Sequence, residues 1–287
     1  MKVYIVIPAH NEGAFLEGAL ASICQQTYLP TQVIVVNDHS TDNTQTIAEN
    51  FSSKYPFIRH INHQSSDLHM PGSKVVNAFN VGLSELDSNY DLLMKLDADI
   101  ILPVHYLEGI VNHFSSNPKL GICGGFAYEQ DKKGNWLLNH PMDKNHIRGA
   151  FKTYSKACFT AMGGLRAAMG WDTVDELLAQ YHGFELCTDP ELPVKHLRPI
   201  GAAYNKKAKL LQGKAMYSMR YGFLITCIAA LKMAFKQQKP WAFIHCLGGY
   251  LKAQSEPLSY LVSEEEGQFI RKLRWKNIGA KLLKTAH

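Results

Sequence analysis

The sequence predicts an α/β fold, with a mostly parallel sheet flanked by helices and a helical C-terminal extension. Three observations carry this expectation. Short runs rich in β-branched residues alternate with segments of helical apolar spacing. The connections between them are short, as in parallel sheets covered on both faces. Polar clusters follow the strands, at the edge where such sheets bind ligands.

Val3–Ile7 reads as a buried strand, and residues 14–26 hold Phe15, Leu16, Ala19, Leu20 and Ile23 at helical spacing. QVIVVND (32–38) reads as the second strand. Thr41–Phe51 reads as a helix with Ser40 or Thr41 as N-cap. Phe57–Ile61 is a weaker strand, Gly72–Leu86 a helix and Tyr90–Leu96 the next strand. LGICGGFAY (120–128) reads as a strand whose Gly121, Gly124 and Gly125 permit close backbone approach. A helix is expected around 155–162, then a break at Gly163-Gly164. A further helix from Thr173 to Tyr181 and a short strand at 193–199 follow.

The chain of 287 residues is 46% hydrophobic and 19% charged, enough to bury a sizeable core and unlike a disordered chain. No cysteine pair has the CxxC spacing of a zinc or redox site, so a reduced, cytoplasmic setting is expected. The start, MKVYIVIPAHNE, lacks the long apolar core of a signal peptide, and no run is long and apolar enough to span a membrane. The net charge of +5 hides an asymmetry. Residues 1–194 carry 13 Lys+Arg against 21 Asp+Glu, a net of −8; residues 195–287 carry 17 against 4, a net of +13. The basic last third is expected to face phosphate.

MKLDADIILP (94–103) is the sharpest local signal. An apolar strand ends on two aspartates, and an unpaired buried carboxylate is costly. If the chain stays extended, Asp97 and Asp99 point to one side and need a cation between them. PAHNE, NDHSTDNT and DAD each follow an expected strand, so three polar clusters gather at one sheet edge.

In order, IPAHNE, VVNDHSTDNT, GSKVVNAFNVGL, KLDADI and a Gly-Gly break followed by WDTVDE resemble the family-2 glycosyltransferases of the GT-A fold, over residues 1–200. The resemblance implies that Pro8, Ala9, Asn11, Glu12, Asp38, Lys74, Asp97 and Ala98 bind a nucleotide-diphosphate sugar. It implies that Asp99 holds Mn²⁺ or Mg²⁺, with His196 on VKHLRP as a further ligand. Hard oxygen ligands and a neutral imidazole suit such ions. The family's base sits in a Glu-Asp pair at a helix start. Here Asp175 fits the Asp, Val174 replaces the Glu, and Asp172 and Glu176 remain rivals. The implied reaction is inverting transfer of one sugar to a hydroxyl acceptor, in cell-surface polysaccharide or glycolipid synthesis. RKLRW (271–275) only partly matches the Q-x-x-R-W of the processive synthases, which points to one sugar per encounter.

The catalytic part is expected over 1–205 and a basic, partly apolar helical region over 206–287. Tyr221–Phe235 and Trp241–Ala253 are apolar segments joined by KQQKP. They form either a hairpin packed on the sheet or one lying in a membrane surface. The charge favours the second, at an anionic inner membrane face with a sugar or lipid-linked acceptor. Two other readings compete. A sugar nucleotidyltransferase would carry a basic, Gly-rich loop after the first strand, which PAHNEGAF is not. A non-enzymatic basic adaptor for membrane or nucleic acid would not need Asp38, Asp97 and Asp99, and nucleic acid is not expected as a partner.

Overall fold

The computed structural model describes residues 1–65, 72–131, 133–138, 146–198, 206–256 and 258–285. The first half is a run of alternating elements: β1 (Val3–Ala9), α1 (Leu16–Cys24), β2 (Gln32–Asp38), α2 (Thr44–Lys54), β3 (Ile58–His63), α3 (Ser73–Ser84) and β4 (Leu92–Leu96). Next come β5 (Ile100–Ile101), α4 (Tyr106–Ser116), β6 (Leu120–Gln130), β7 (Trp136–Leu138), β8 (Phe151–Ser155), α5 (Lys156–Ala161), α6 (Trp171–Tyr181) and β9 (Glu185–His196). The C-terminal part is helical: α7 (Lys206–Ser218), α8 (Phe223–Gln237), α9 (Pro240–Ser255) and α10 (Glu264–Thr285).

The strands form one sheet in the order β3-β2-β1-β4-β8-β6-β9-β5, with β7 on the side of β6. The β3-β2-β1-β4 half is parallel throughout. The other half is mixed: β8 runs antiparallel to both β4 and β6, β5 is antiparallel to β9, and β6 and β9 are parallel. The expected α/β sheet flanked by helices is present; its first half is parallel, and antiparallel β8, β5 and β7 make its second half mixed. β8 lacked the apolar alternation of a strand because Lys152 and Thr153 lie inside it.

Chain length forces the sheet to curl. Leu96 ends β4 and Ile100 starts β5, yet β8, β6 and β9 lie between them in the sheet. Four extended residues reach about 14 Å, whereas four flat inter-strand steps need about 19 Å. The far edge therefore bends back towards β4, and Asp97, Ala98 and Asp99 bridge the gap as a turn. The extended geometry expected for the two aspartates does not form.

Strand alternation sorts the core into two layers. Val3, Ile5, Ile7 and Ala9 of β1 face α1, α2 and α4. Tyr4 and Val6 face α3, α5 and α6. The second layer also takes in Ala215, Met219, Tyr221, Ile225, Val262 and Ile270, so the C-terminal helices share the core of the sheet. α7 and α9 pack backbone to backbone. A Cβ on Gly213 would lie 1.8 Å from the Cys246 carbonyl oxygen, and one on Gly249 would lie 1.9 Å from that of Leu210. The α8–α9 turn closes on Gln238 in the left-handed region (φ 53°), and Pro240 opens α9 in its first turn.

Candidate active site

The loops after β1 and β2 are tied together by side chains. Thr41 N–H donates to Asn11 Oδ1 (2.8 Å), and Asn11 N–H to Ser40 Oγ (3.0 Å). Glu12 N–H donates to Thr44 Oγ1 (2.8 Å), and Gly13 N–H to Asp42 Oδ2 (2.9 Å). Asn11 adopts φ 54°, a conformation that asparagine tolerates better than most residues. A Cβ at residue 13 would meet Asn43 Oδ1 at 1.7 Å, so a larger residue there would push the Asn43 side chain aside. The start of α2 is held by Asp42, whose Oδ1 accepts from Thr44 N–H (3.0 Å), and not by Ser40 or Thr41 as expected. Asn11, expected in the nucleoside pocket, spends its side-chain oxygen on this seam. Asp38 is 5% exposed and accepts from Ser65 N–H (2.8 Å). Pro8 is half-buried, Ala9 is buried at the end of β1, and Lys74 is half-buried in the first turn of α3.

At the turn after β4, Ala98 is buried, and Asp97 N–H donates to the Ala150 carbonyl (2.7 Å). The buried Lys95 ammonium pairs with Asp97 Oδ1. Burial pushes the Asp97 pKa up against this pull, and the neighbouring Asp99 adds to the rise. Asp99 has the opposite fate. Burial works against its ionisation, but His196 Nε2 at 3.2 Å and Arg198 Nε at 3.8 Å hold its pKa below the usual carboxylate range. Arg198 also reaches Glu12 Oε2 at 2.5 Å. Burial raises the Glu12 carboxyl to about 7, with Arg198 opposing and Asp99 and Asp97 reinforcing. His196 sits at the end of β9, where its neighbour Leu197 donates N–H to the Asp99 carbonyl (2.9 Å). The ring's Nδ1 is buried without a hydrogen-bond partner, with Glu129 Oε1 3.9 Å away.

Among the described residues, no three His, Cys, Asp or Glu side chains are set together as a complete metal cage. The donors present still suit a divalent ion that keeps open positions. Asp99 and His196 are an oxygen–nitrogen pair on adjacent chain segments, and such ions take one or two protein carboxylates plus substrate phosphates. The orphaned Nδ1, directed at Glu129, matches the outer contact that orients a ligating imidazole.

The second half of the site is the start of α6. Asp175 is 2% exposed and both its oxygens are engaged: Oδ1 by Lys152 Nζ (2.8 Å) and Glu176 N–H (2.7 Å), Oδ2 by the Tyr154 hydroxyl (2.6 Å). Burial lifts its pKa to about 6, while Lys152 and Tyr154 pull it down. Glu176 is buried as well, accepting from Ile147 N–H (2.7 Å) and pairing with His146 (3.0 Å) and Lys152 (3.0 Å). Asp172 is different. It lies half-buried in the first turn of the helix, and its backbone carbonyl is held by Lys152. A Cβ on Gly149 would come within 3.0 Å of Asp172 Cβ, and the next residue, Ala150, carries the carbonyl that binds Asp97 N–H. Asp172 thus adjoins the segment that holds the Asp97 turn, whereas Asp175 is buried against Lys152 and Tyr154. The Trp171 ring sits near both buried ammonium groups, 5.1 Å from Lys95 and 6.0 Å from Lys152.

Sequence reasoning missed Lys95, Lys152, Tyr154, Trp171, Glu129 and Arg198. Two signals were available: a lysine inside the apolar run LLMKL, and another inside FKTYS.

The sequence pattern of Glycosyl transferase family 2 matches residues 4–169, more than half of the chain. The chain belongs to this family. Among curated relatives, poly-beta-1,6-N-acetyl-D-glucosamine synthase of Staphylococcus epidermidis is 28% identical over 123 residues, 43% of this chain and 28% of the synthase. The probable glycosyltransferase YdaM of Bacillus subtilis is 33% identical over 126 residues, 42% of this chain and 29% of that protein. The chain therefore spans less than a third of the length of these relatives. Among solved structures, a mannosyltransferase from Pyrobaculum calidifontis, crystallised with GDP-Man and Mn²⁺, superposes with a TM-score of 0.57 at 15% identity, covering 98% of this chain and 80% of that one. Residues 1–349 of S. aureus TarS give 0.54 at 15%, covering 96% and 78%. These likenesses show the GT-A fold.

Proposed function

We propose that the protein transfers one sugar, with inversion, from a nucleotide-diphosphate sugar to a hydroxyl of a sugar or lipid-linked acceptor. The observation that carries this reading is the shared edge: Asp97 and Asp99 turn out of β4 next to His196, with Asp172 at the adjoining helix start. The mannosyltransferase with GDP-Man and Mn²⁺ supports the donor class and the metal. The synthase likeness supports cell-surface polysaccharide or glycolipid synthesis.

Asp99 and His196 would hold Mn²⁺ or Mg²⁺. When bound, that ion supplies Lewis-acid neutralisation of the diphosphate leaving group. Glu129 faces His196 Nδ1 and keeps Nε2 turned towards Asp99. Lys95 opposes the rise that burial imposes on Asp97 and so favours its ionised form, which would accept hydrogen bonds from the ribose. Pro8, Ala9, Asp38 and the backbone at Ala98 line the nucleoside side, and Lys74 meets a phosphate from the start of α3. Asp172 takes the proton from the acceptor hydroxyl as that oxygen attacks the anomeric carbon opposite the leaving diphosphate. The role moves from Asp175 to Asp172 because a base must reach its proton, and Asp175 has no free oxygen. Lys152, Asp175 and Tyr154 then act as the footing that fixes the Asp172 backbone. The charge balance fits work at an anionic membrane face.

A panel of nucleotide sugars with Mn²⁺, scored by thermal shift and then by donor hydrolysis, tests the reading. One donor should raise the melting temperature and be cleaved only with metal. Cleavage unaffected by chelator, or no response to any nucleotide sugar, contradicts it.

A further inference from the structure

α8 carries an exposed apolar stripe that no part of the described chain covers. Leu224, Ile228, Leu231 and Phe235 recur at helical spacing and are 66%, 39%, 48% and 76% exposed. The opposite face holds Ile225, Thr226, Ala230 and Ala234, which are buried. At the hairpin end the stripe opens into a groove of about 360 Å³, lined by Leu231, Ala234, Phe235, Pro240 and Phe243. Exposed apolar surface of this extent marks an interaction site.

The charge says which partner fits. Residues 199–255 contain nine Lys+Arg and no Asp or Glu. Lys232, Lys236 and Lys239 are exposed at the hairpin end, interleaved with Leu231 and Phe235. Lys239 Nζ lies 5.8 Å from the Trp241 ring, and that aromatic–cation pair suits headgroup level. No helix among the described residues is long and apolar enough to cross a bilayer. A second copy offers these lysines no acidic counterpart, since a two-fold contact would bring the same acid-free hairpin to the interface.

We infer that the exposed face of the α8–α9 hairpin is the docking surface, lying in the interface of an anionic bilayer with Leu224, Ile228, Leu231 and Phe235 among the upper acyl chains and Lys232, Lys236 and Lys239 on the headgroups. This rests on the proposed transfer at a membrane face and names the part that makes the contact. α9 packs on α7, and the start of α8 shares the core of the sheet, so the docked face is rigidly tied to the catalytic part.

Flotation of the full chain with vesicles of phosphatidylcholine alone, or with 30% phosphatidylglycerol (roughly the anionic content that gives a strong surface potential), tests the inference. The wild type should bind only the anionic vesicles at low salt and be released at high salt. Leu224→Glu with Phe235→Glu should weaken binding at least about tenfold, and Lys232→Gln, Lys236→Gln and Lys239→Gln together roughly a hundredfold. All sit on the surface, so melting by circular dichroism should match the wild type. Wild-type binding by both variants would overturn the assignment in favour of another face, such as α10. Self-association lost in the Glu variant without vesicle binding would overturn it in favour of a second copy. No binding to any vesicle would overturn docking altogether. Metal-dependent nucleoside-diphosphate binding in the same preparation would then show that the transfer reading survives.

Discussion

Asp172 and Asp175 lie three residues apart on one helix and have opposite surroundings. Asp175 is locked by Lys152, Tyr154 and a backbone N–H, whereas Asp172 keeps a half-open carboxylate beside the Asp97 turn. Two different losses follow. Asp172→Asn should lower turnover on a true acceptor by about 10²-fold or more, with donor affinity and melting temperature near wild type. Asp175→Asn should act on stability, because it leaves the fully buried Lys152 with one anionic partner fewer; breaking such a pair costs about 3–5 kcal/mol. Steady-state kinetics beside thermal melts of both variants check the division, and a stable Asp175→Asn enzyme without turnover would reverse it. Glu12 gives a pH test. Its carboxyl titrates at about 7 in the folded chain against an ordinary value of 4.5. The folded state therefore binds more protons between these values, and stability falls as pH rises through that window. Metal-free melts from pH 4.5 to 8 should show that fall, and Glu12→Gln should reduce it, most clearly above pH 6, since the raised Asp175 carboxyl, at about 6, adds a fall of the same sign lower in the window.

Legibility in the sequence differs from element to element. β2 was expected over 32–38 and spans Gln32–Asp38, since four consecutive β-branched apolar positions admit few alternatives. The α8–α9 hairpin was visible as two apolar segments around KQQKP. β8 was hidden because its Lys152 is matched by acids on α6, a partnership between elements that no local pattern reveals. β5 is only two residues long and exists because β9 is there to pair with it. In the site, the three polar clusters were readable, but the pairing of Glu12 with Arg198 spans 186 residues. The choice between Asp172 and Asp175 depended on which one the helix buries. The α7–α9 contact is a further case: Gly213 and Gly249 stand at backbone contacts between helices. Gly249→Ala should cost about 1–3 kcal/mol through overpacking, measured by chemical denaturation. An unchanged midpoint would mean the helices are not held this closely.

At the scale of the molecule, the chain joins an acidic first part, net −8 over residues 1–194, to a basic last third, net +13 over residues 195–287. The sheet curls because four residues must carry the chain from β4 to the far edge, and that turn carries Asp97 and Asp99 to His196. The helical third contributes its inner face to the core and presents lysines and an apolar stripe outward. The central claim is that the turn binds the diphosphate of a nucleotide sugar through a divalent ion. Titration calorimetry of nucleoside diphosphates into wild type and Asp99→Ala, with Mn²⁺ and with chelator, tests it most directly. The account predicts that Mn²⁺ tightens binding at least about tenfold, about 1.4 kcal/mol, in the wild type and not in Asp99→Ala. Equal wild-type affinity with metal and with chelator would contradict it.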